Sequence, residues 1–98
     1  MIQTVPDDHA LARASVLLAA MANTKRLAIL TLLTTREMSV KPLAKEIGLS
    51  QSALSQHLIK LKEAGVVQYR REGHYIYYSC ESNAVKSMLL TLGVVQKP

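Results

Sequence analysis

Apolar residues recur along the chain at helical spacing, give way to two β-rich runs, and then return to helical spacing. Between Asp8 and Met21, the positions Leu11, Ala14, Leu18 and Met21 fall three or four residues apart with Leu17 beside them. Asp7 or Asp8 can cap the first turn, and the segment is predicted to be a helix. Asn23 offers a cap to a second helix that carries Leu27, Leu30 and Leu33 on one side, Ile29 beside them, and ends near Thr34. Ser39 is the cap candidate for a short third helix through Ile47. Pro42 is tolerated there because first-turn amides have no helical partner to lose. Gly48 supplies a left-handed stop. Ser50 then caps a fourth helix with Leu54, Leu58 and Leu61 as its buried stripe and Gly65 as its end.

Beyond Gly65, Val66 to Arg71 and His74 to Cys80 are rich in Val, Ile and Tyr, with Glu72-Gly73 between them as a turn, which predicts a β-hairpin. Ser82 caps a last helix whose apolar face is Val85, Met88, Leu89 and Leu92. The expected fold is mainly α with a β-hairpin, in the order α-α-α-α-β-β-α. Two helices flanking a tight turn at Gly48 form a helix-turn-helix, and the hairpin after them makes it a winged helix-turn-helix. No repeat, low-complexity run or linker divides residues 1–98, so one domain is expected, with Met1 to Pro6 and Gln96 to Pro98 frayed.

A domain of 98 residues has a thin core that often needs a partner subunit. Leu11, Leu18 and Met21 in the first helix, and Met88, Leu89 and Leu92 in the last, are more apolar surface than one short helix-turn-helix absorbs. They predict a homodimer paired through its terminal helices, against the alternative of a self-contained monomer.

The net charge of +5 is concentrated in the middle of the chain. Between Thr24 and Gly73, nine basic residues stand against Glu37, Glu46, Glu63 and Glu72. Such a concentration suits a polyanion, although a basic surface is often only solvated. The lone Cys80 excludes an intrachain disulfide and the Cys-rich structural zinc sites, and fits a reducing cytosol. The apolar runs are too short or too amphipathic to cross a bilayer, so the expectation is a cytoplasmic protein without membrane contact.

Candidate chemistry lies on the fourth helix. With its leucines inward, steps of about 100° per residue put Ser52, Ser55, Gln56 and Ile59 outward, and Gln51 lies in the first turn. Ser and Gln donate to and accept from base edges, and Gln pairs in two places with adenine in the major groove. A solvated helix face is the alternative, but such faces are usually laced with Glu and Lys pairs, and no charged side chain occurs from Leu49 to Ile59. The face is therefore read as a base-reading surface for double-stranded DNA, with Gln51, Ser52, Ser55 and Gln56 as its readers.

His57 and Lys60 are candidate phosphate contacts, His57 having the alternative of a hydrogen bond within the fold. Arg70, Arg71 and His74 at the hairpin tip are read as a DNA-contacting wing, because they adjoin the reading helix, with charges that keep a sheet edge soluble as the lesser alternative. Tyr69, Tyr75, Tyr77 and Tyr78 can stack on bases, though in a chain without Phe or Trp they more simply supply packing bulk.

The run SQSALSQHLIKLKEAGVV followed by RREGHYIYYS resembles the ArsR/SmtB family of winged-helix repressors, over roughly Ala20 to Leu92. The resemblance implies an α-α-α-α-β-β-α fold, a homodimer paired through its first and last helices, and release of DNA when a small signal binds. Metal-sensing branches open the third helix with a motif of the form ELCVCDL, and the matching stretch here is EMSVKPL, from Glu37 to Leu43. Ser39 and Lys41 stand where the two thiolates would be, and a hydroxyl and an ammonium do not replace soft anionic ligands. The last helix carries no His, Asp or Glu, so the expectation is no metal and no cofactor, with the inducer unknown. Cys80 is read as a small packed residue, with single-thiol oxidation as the lesser alternative. A winged-helix protein-interaction module is the rival from another class. An enzyme ranks third, because no glycine loop, ligand cluster or triad occurs.

Overall fold

The computed structural model describes residues 5–95. Local capping chemistry sets most of its helix starts. Asp7 accepts from the His9 amide at 2.9 Å and opens α1 (Asp8–Met21). Asn23 accepts from the Arg26 amide at 3.0 Å and opens α2 (Thr24–Leu33), where the chain bends by 99°. Ser50 and Ser82 cap α4 (Gln51–Glu63) and α5 (Asn83–Thr91) in the same way, through Ala53 and Val85. Each bond satisfies an amide that lacks a partner inside its helix. Between α2 and α4 lies α3 (Val40–Ile47), stopped by Gly48 at φ 78°. Only glycine takes that backbone conformation at no steric cost.

The sheet is larger than the hairpin expected. β2 (Gln68–Glu72) and β3 (Tyr75–Ser79) are antiparallel, and β1 (Met38–Ser39) pairs with the free edge of β3 to give the order β1-β3-β2. A two-residue strand carries no alternation to be read; pairing of Met38 with Tyr78 and Ser39 with Tyr77 creates it. Ser39 stands at the N-cap position of α3, but its hydroxyl makes no capping bond. Glu72 pairs with Tyr75, so the turn is Gly73-His74 and not Glu72-Gly73. Val66 and Val67 lie before β2, buried in the core.

One apolar cluster holds these elements together. Ile29, Leu30 and Leu33 of α2, Leu43 of α3, Leu54, Leu58 and Leu61 of α4, and Val85 of α5 are among its fully buried members. Met21 and Leu89 belong to it as well, 3% and 1% exposed, and this corrects their assignment to a partner interface. Helical spacing shows that residues share a face but not what covers it. The last turn of α1 and the middle of α5 fold onto the chain's own core. Leu11 and Leu18, each 54% exposed, and Leu92, 59% exposed, remain on the surface, while Met88 is partly buried.

Cys80 is buried with its amide bonded to the Leu33 carbonyl at 3.0 Å, and burial pushes its thiol above the usual range. A thiol held protonated and covered is a poor nucleophile. Ellman's reagent is expected to modify Cys80 only when the chain is unfolded in denaturant; rapid reaction of the native protein contradicts this packing. Leu54→Ala is expected to lower the unfolding free energy by about 2–5 kcal/mol in urea titrations at fixed protein concentration.

Candidate nucleic-acid interface

The reading helix is fixed from behind. Leu54, Leu58 and Leu61 are buried, so their neighbours on the opposite side of α4 must face out. Gln51, Ser52 and Gln56 are exposed, Ser55 is partly so, and Ile59 completes the outer face. Ser52 sits 3.3 Å, oxygen to oxygen, from the capping Ser50 hydroxyl. Among the described residues, the amides of Gln51 and Gln56 have no hydrogen-bond partner, which leaves both their donors and acceptors for an outside ligand.

An open cleft of about 910 Å³ adjoins this face, between α3, the start of α4 and the tip of the wing. Its lining includes Lys41, Lys45, Ser50, Gln51, His74 and Tyr75. The two lysines are cations that the sequence reading did not select. Their only signal in the sequence is that α3 carries two lysines and a single acid, Glu46, and in the structure that acid is paired with Arg36 at 3.7 Å. Ser39 also lines this cleft beside Lys41, and neither a hydroxyl nor an ammonium is a donor suited to a soft metal ion.

The two arginines of the wing have different environments. Side chains alternate across a strand, and residues directly opposite in antiparallel strands share a face. Arg70 lies opposite Tyr77 and Arg71 opposite Ile76, so the pair divides between the two faces. Arg70 grips Glu37 through two nitrogens, Nε at 2.9 Å and Nη2 at 3.0 Å, and donates Nη1 to Glu72 at 2.6 Å. Its guanidinium also lies 4.8 Å from the centre of the Tyr77 ring. The Arg70 hydrogen bonds hold the Glu37 carboxyl below its usual range. Arg70 therefore ties the wing to the loop before β1, and two carboxylates offset its charge. Arg71 is exposed on the face shared with Ile76, which lines the cleft, and His74 lines the cleft itself.

His57 is partly buried, with Nδ1 3.4 Å from Nη1 of Arg26. Burial first, and then the positive charges of Arg26, Lys60 and Lys25, push its pKa below 6.5. A neutral ring that accepts at Nδ1 carries its proton on Nε2, and at neutral pH it offers a phosphate a hydrogen-bond donor but no charge. Lys60 is exposed on α4. The tyrosines pack on one another: Tyr69 against Tyr78 at 5.9 Å and Tyr75 against Tyr77 at 6.3 Å, with Lys62 Nζ 4.3 Å from the Tyr69 ring centre. Among the described residues, no single helix is long and apolar enough to cross a membrane.

Comparison with known proteins agrees with this geometry. The family "Bacterial regulatory protein, arsR family" matches residues 23–69, from the cap of α2 into β2. The chain is similar to nodulation protein NolR of Rhizobium meliloti, 52% identical over 85 residues that make up 86% of this chain and 70% of that protein. It is also similar to transcriptional activator HlyU of Vibrio cholerae, 49% identical over 78 residues, 80% of this chain and 72% of that one. Among solved structures, the homodimeric winged helix-turn-helix DNA-binding domain of a possible ArsR-family regulator from Mycobacterium bovis matches with a TM-score of 0.79. That match is at 32% identity and covers 95% of this chain and 88% of that one. The chain belongs to the arsR family of bacterial regulatory proteins, and it is a DNA-binding transcriptional regulator with a winged helix-turn-helix fold, not an enzyme.

Proposed function

We propose that the protein is a cytoplasmic repressor that binds a pseudo-palindromic operator as a homodimer, one α4 in each of two successive major grooves. The observation that carries this reading is the outer face of α4, where the unbonded amides of Gln51 and Gln56 and the hydroxyls of Ser52 and Ser55 stand opposite three buried leucines. Gln51, Ser52, Ser55 and Gln56 read base edges. Lys60, Arg71 and His74 meet phosphates, joined by Lys41 and Lys45 of the adjoining cleft, while Arg70 holds the wing in place. No metal is required for binding.

One reading helix makes too few contacts for operator-level affinity, and two of them about 34 Å apart address adjacent grooves. The exposed Leu11, Leu18 and Leu92 support a partner copy, as does the homodimeric M. bovis domain. Repression needs only that the bound dimer occupy a promoter, whereas activation also needs a surface for polymerase. Occupancy is the simpler outcome, although HlyU is named an activator.

Gln56→Ala is expected to cost about 1–3 kcal/mol on a matched duplex at one base position and much less on a scrambled one. Arg71→Ala is expected to weaken both duplexes alike and to reduce the salt slope by roughly 1 per protomer. Fluorescence anisotropy across a salt series, on duplexes recovered by selection from a random pool, separates the two. Equal losses on both duplexes remove Gln56 from the base-reading set. Leu18→Glu is expected to convert a sedimenting dimer to a monomer at micromolar concentration, and an unchanged dimer would place the interface elsewhere.

A further inference from the structure

Arg26 occupies a junction that the reading of α4 does not use. Its backbone amide is held by the cap of α2, and its side chain is partly buried. The guanidinium donates Nε to the Ala20 carbonyl at 2.6 Å and Nη2 to the Ala19 carbonyl at 3.4 Å. The last carbonyls of a helix have no partner within it and carry its negative dipole end. The last turn of α1 contains no basic residue of its own, so Arg26 supplies that charge from the next helix. The third contact, to Nδ1 of His57, reaches α4 between the DNA-facing Gln56 and the buried Leu58. One planar group thus joins the end of α1 to the middle of α4.

We infer that Arg26 is a positioning residue, which through His57 fixes the angle of the reading helix relative to α1 and so the separation of the two reading helices in the dimer. This rests on the proposed roles of α4 in reading DNA and of α1 in pairing the protomers. The lever is long enough to matter. Gln51 lies about 9 Å along the helix axis from His57 at 1.5 Å per residue. A tilt of about 20° at His57 moves it ~3 Å, close to the ~3.4 Å rise of one base pair. A phosphate contact tolerates such a shift because every base step offers a phosphate, but a base contact does not.

The link depends on an unprotonated Nδ1. The groups facing the ring are Arg26 and Lys25 from α2 and Lys60 from its own helix, all cationic. The last turn of α1 has no titratable side chain, and α3 brings the Ile47 carbonyl, to which Lys25 donates at 3.2 Å. The pKa of the ring in the folded protein lies below the ordinary 6.5. The link is therefore intact above pH 6.5 and is lost as pH falls through the lower folded-state value, where a proton on Nδ1 faces the guanidinium.

The test uses duplexes recovered by the wild-type protein from a random pool, rebuilt with the spacer between half-sites lengthened or shortened by one base pair. The wild type is expected to bind its own spacing at least tenfold more tightly than either neighbour. Arg26→Gln is expected to reduce that preference to within about twofold while leaving affinity for a single half-site unchanged. His57→Leu is expected to reduce the preference as far, read as the ratio between spacings so that any loss of its own phosphate contact cancels. His57→Asn, whose amide oxygen can accept in place of Nδ1, is expected to restore the preference and to abolish its decline below pH 6.5. If Arg26→Gln does not fold, the two His57 variants carry the same comparison. A full spacing preference in His57→Leu overturns the inference and leaves the DNA-reading role standing. A wild type that selects no duplex, or selects half-sites without any spacing, removes the proposed function and the inference with it.

Discussion

Burial of Leu54, Leu58 and Leu61 is the constraint on which the interface depends. A helix has no freedom to choose its outer face once three residues at four- and three-residue spacing are held in a core. Because these leucines pack against Ile29, Leu30 and Leu43 from the preceding helices, rotation of α4 about its axis would expose them and bury Gln56 without a partner. Both changes are unfavourable, since exposed leucine loses its burial energy and a buried amide needs hydrogen bonds. The polar outer face is thus a consequence of apolar packing behind it.

Around that helix, smaller contacts set the neighbours at fixed angles. Gly48 turns the chain between α3 and α4, so that the lysines of α3 and the first turn of α4 share one cleft. The Arg70 pairing with Glu37 ties the wing to the loop before β1, and the register of β2 with β3 turns Arg71 to the side of Ile76. At the other end, Arg26 links α1 to α4. The exposed ion pairs of Arg70 contribute little to stability, as solvated pairs generally do, but they hold direction.

Much of this was legible in the chain because it is local. The caps at Asp7, Asn23, Ser50 and Ser82, the stop at Gly48 and the leucine stripe of α4 are decided within a few residues of themselves. What escaped depends on distant partners. β1 exists through β3, far along the chain, and Arg70 is committed by Glu37, 33 residues away. The same distance effect misled the reading of Met21 and Leu89: periodicity grouped them with surface leucines, and only the packed core distinguishes them. Lys41 and Lys45 had no visible role until the wing closed a cleft beside them. The expected fraying of Met1 to Pro6 and Gln96 to Pro98 lies, at residues 1–4 and 96–98, outside the described residues.

The central claim is that the amides on the outer face of α4 meet DNA bases. The most direct measurement is nuclear magnetic resonance of the side-chain amide protons of Gln51 and Gln56 in 15N-labelled protein, titrated with a duplex the protein has selected. The account predicts large shifts at both side chains and through-space contacts to major-groove base protons at saturation. Side-chain amides that stay at their free positions while the duplex binds elsewhere on the protein would contradict it.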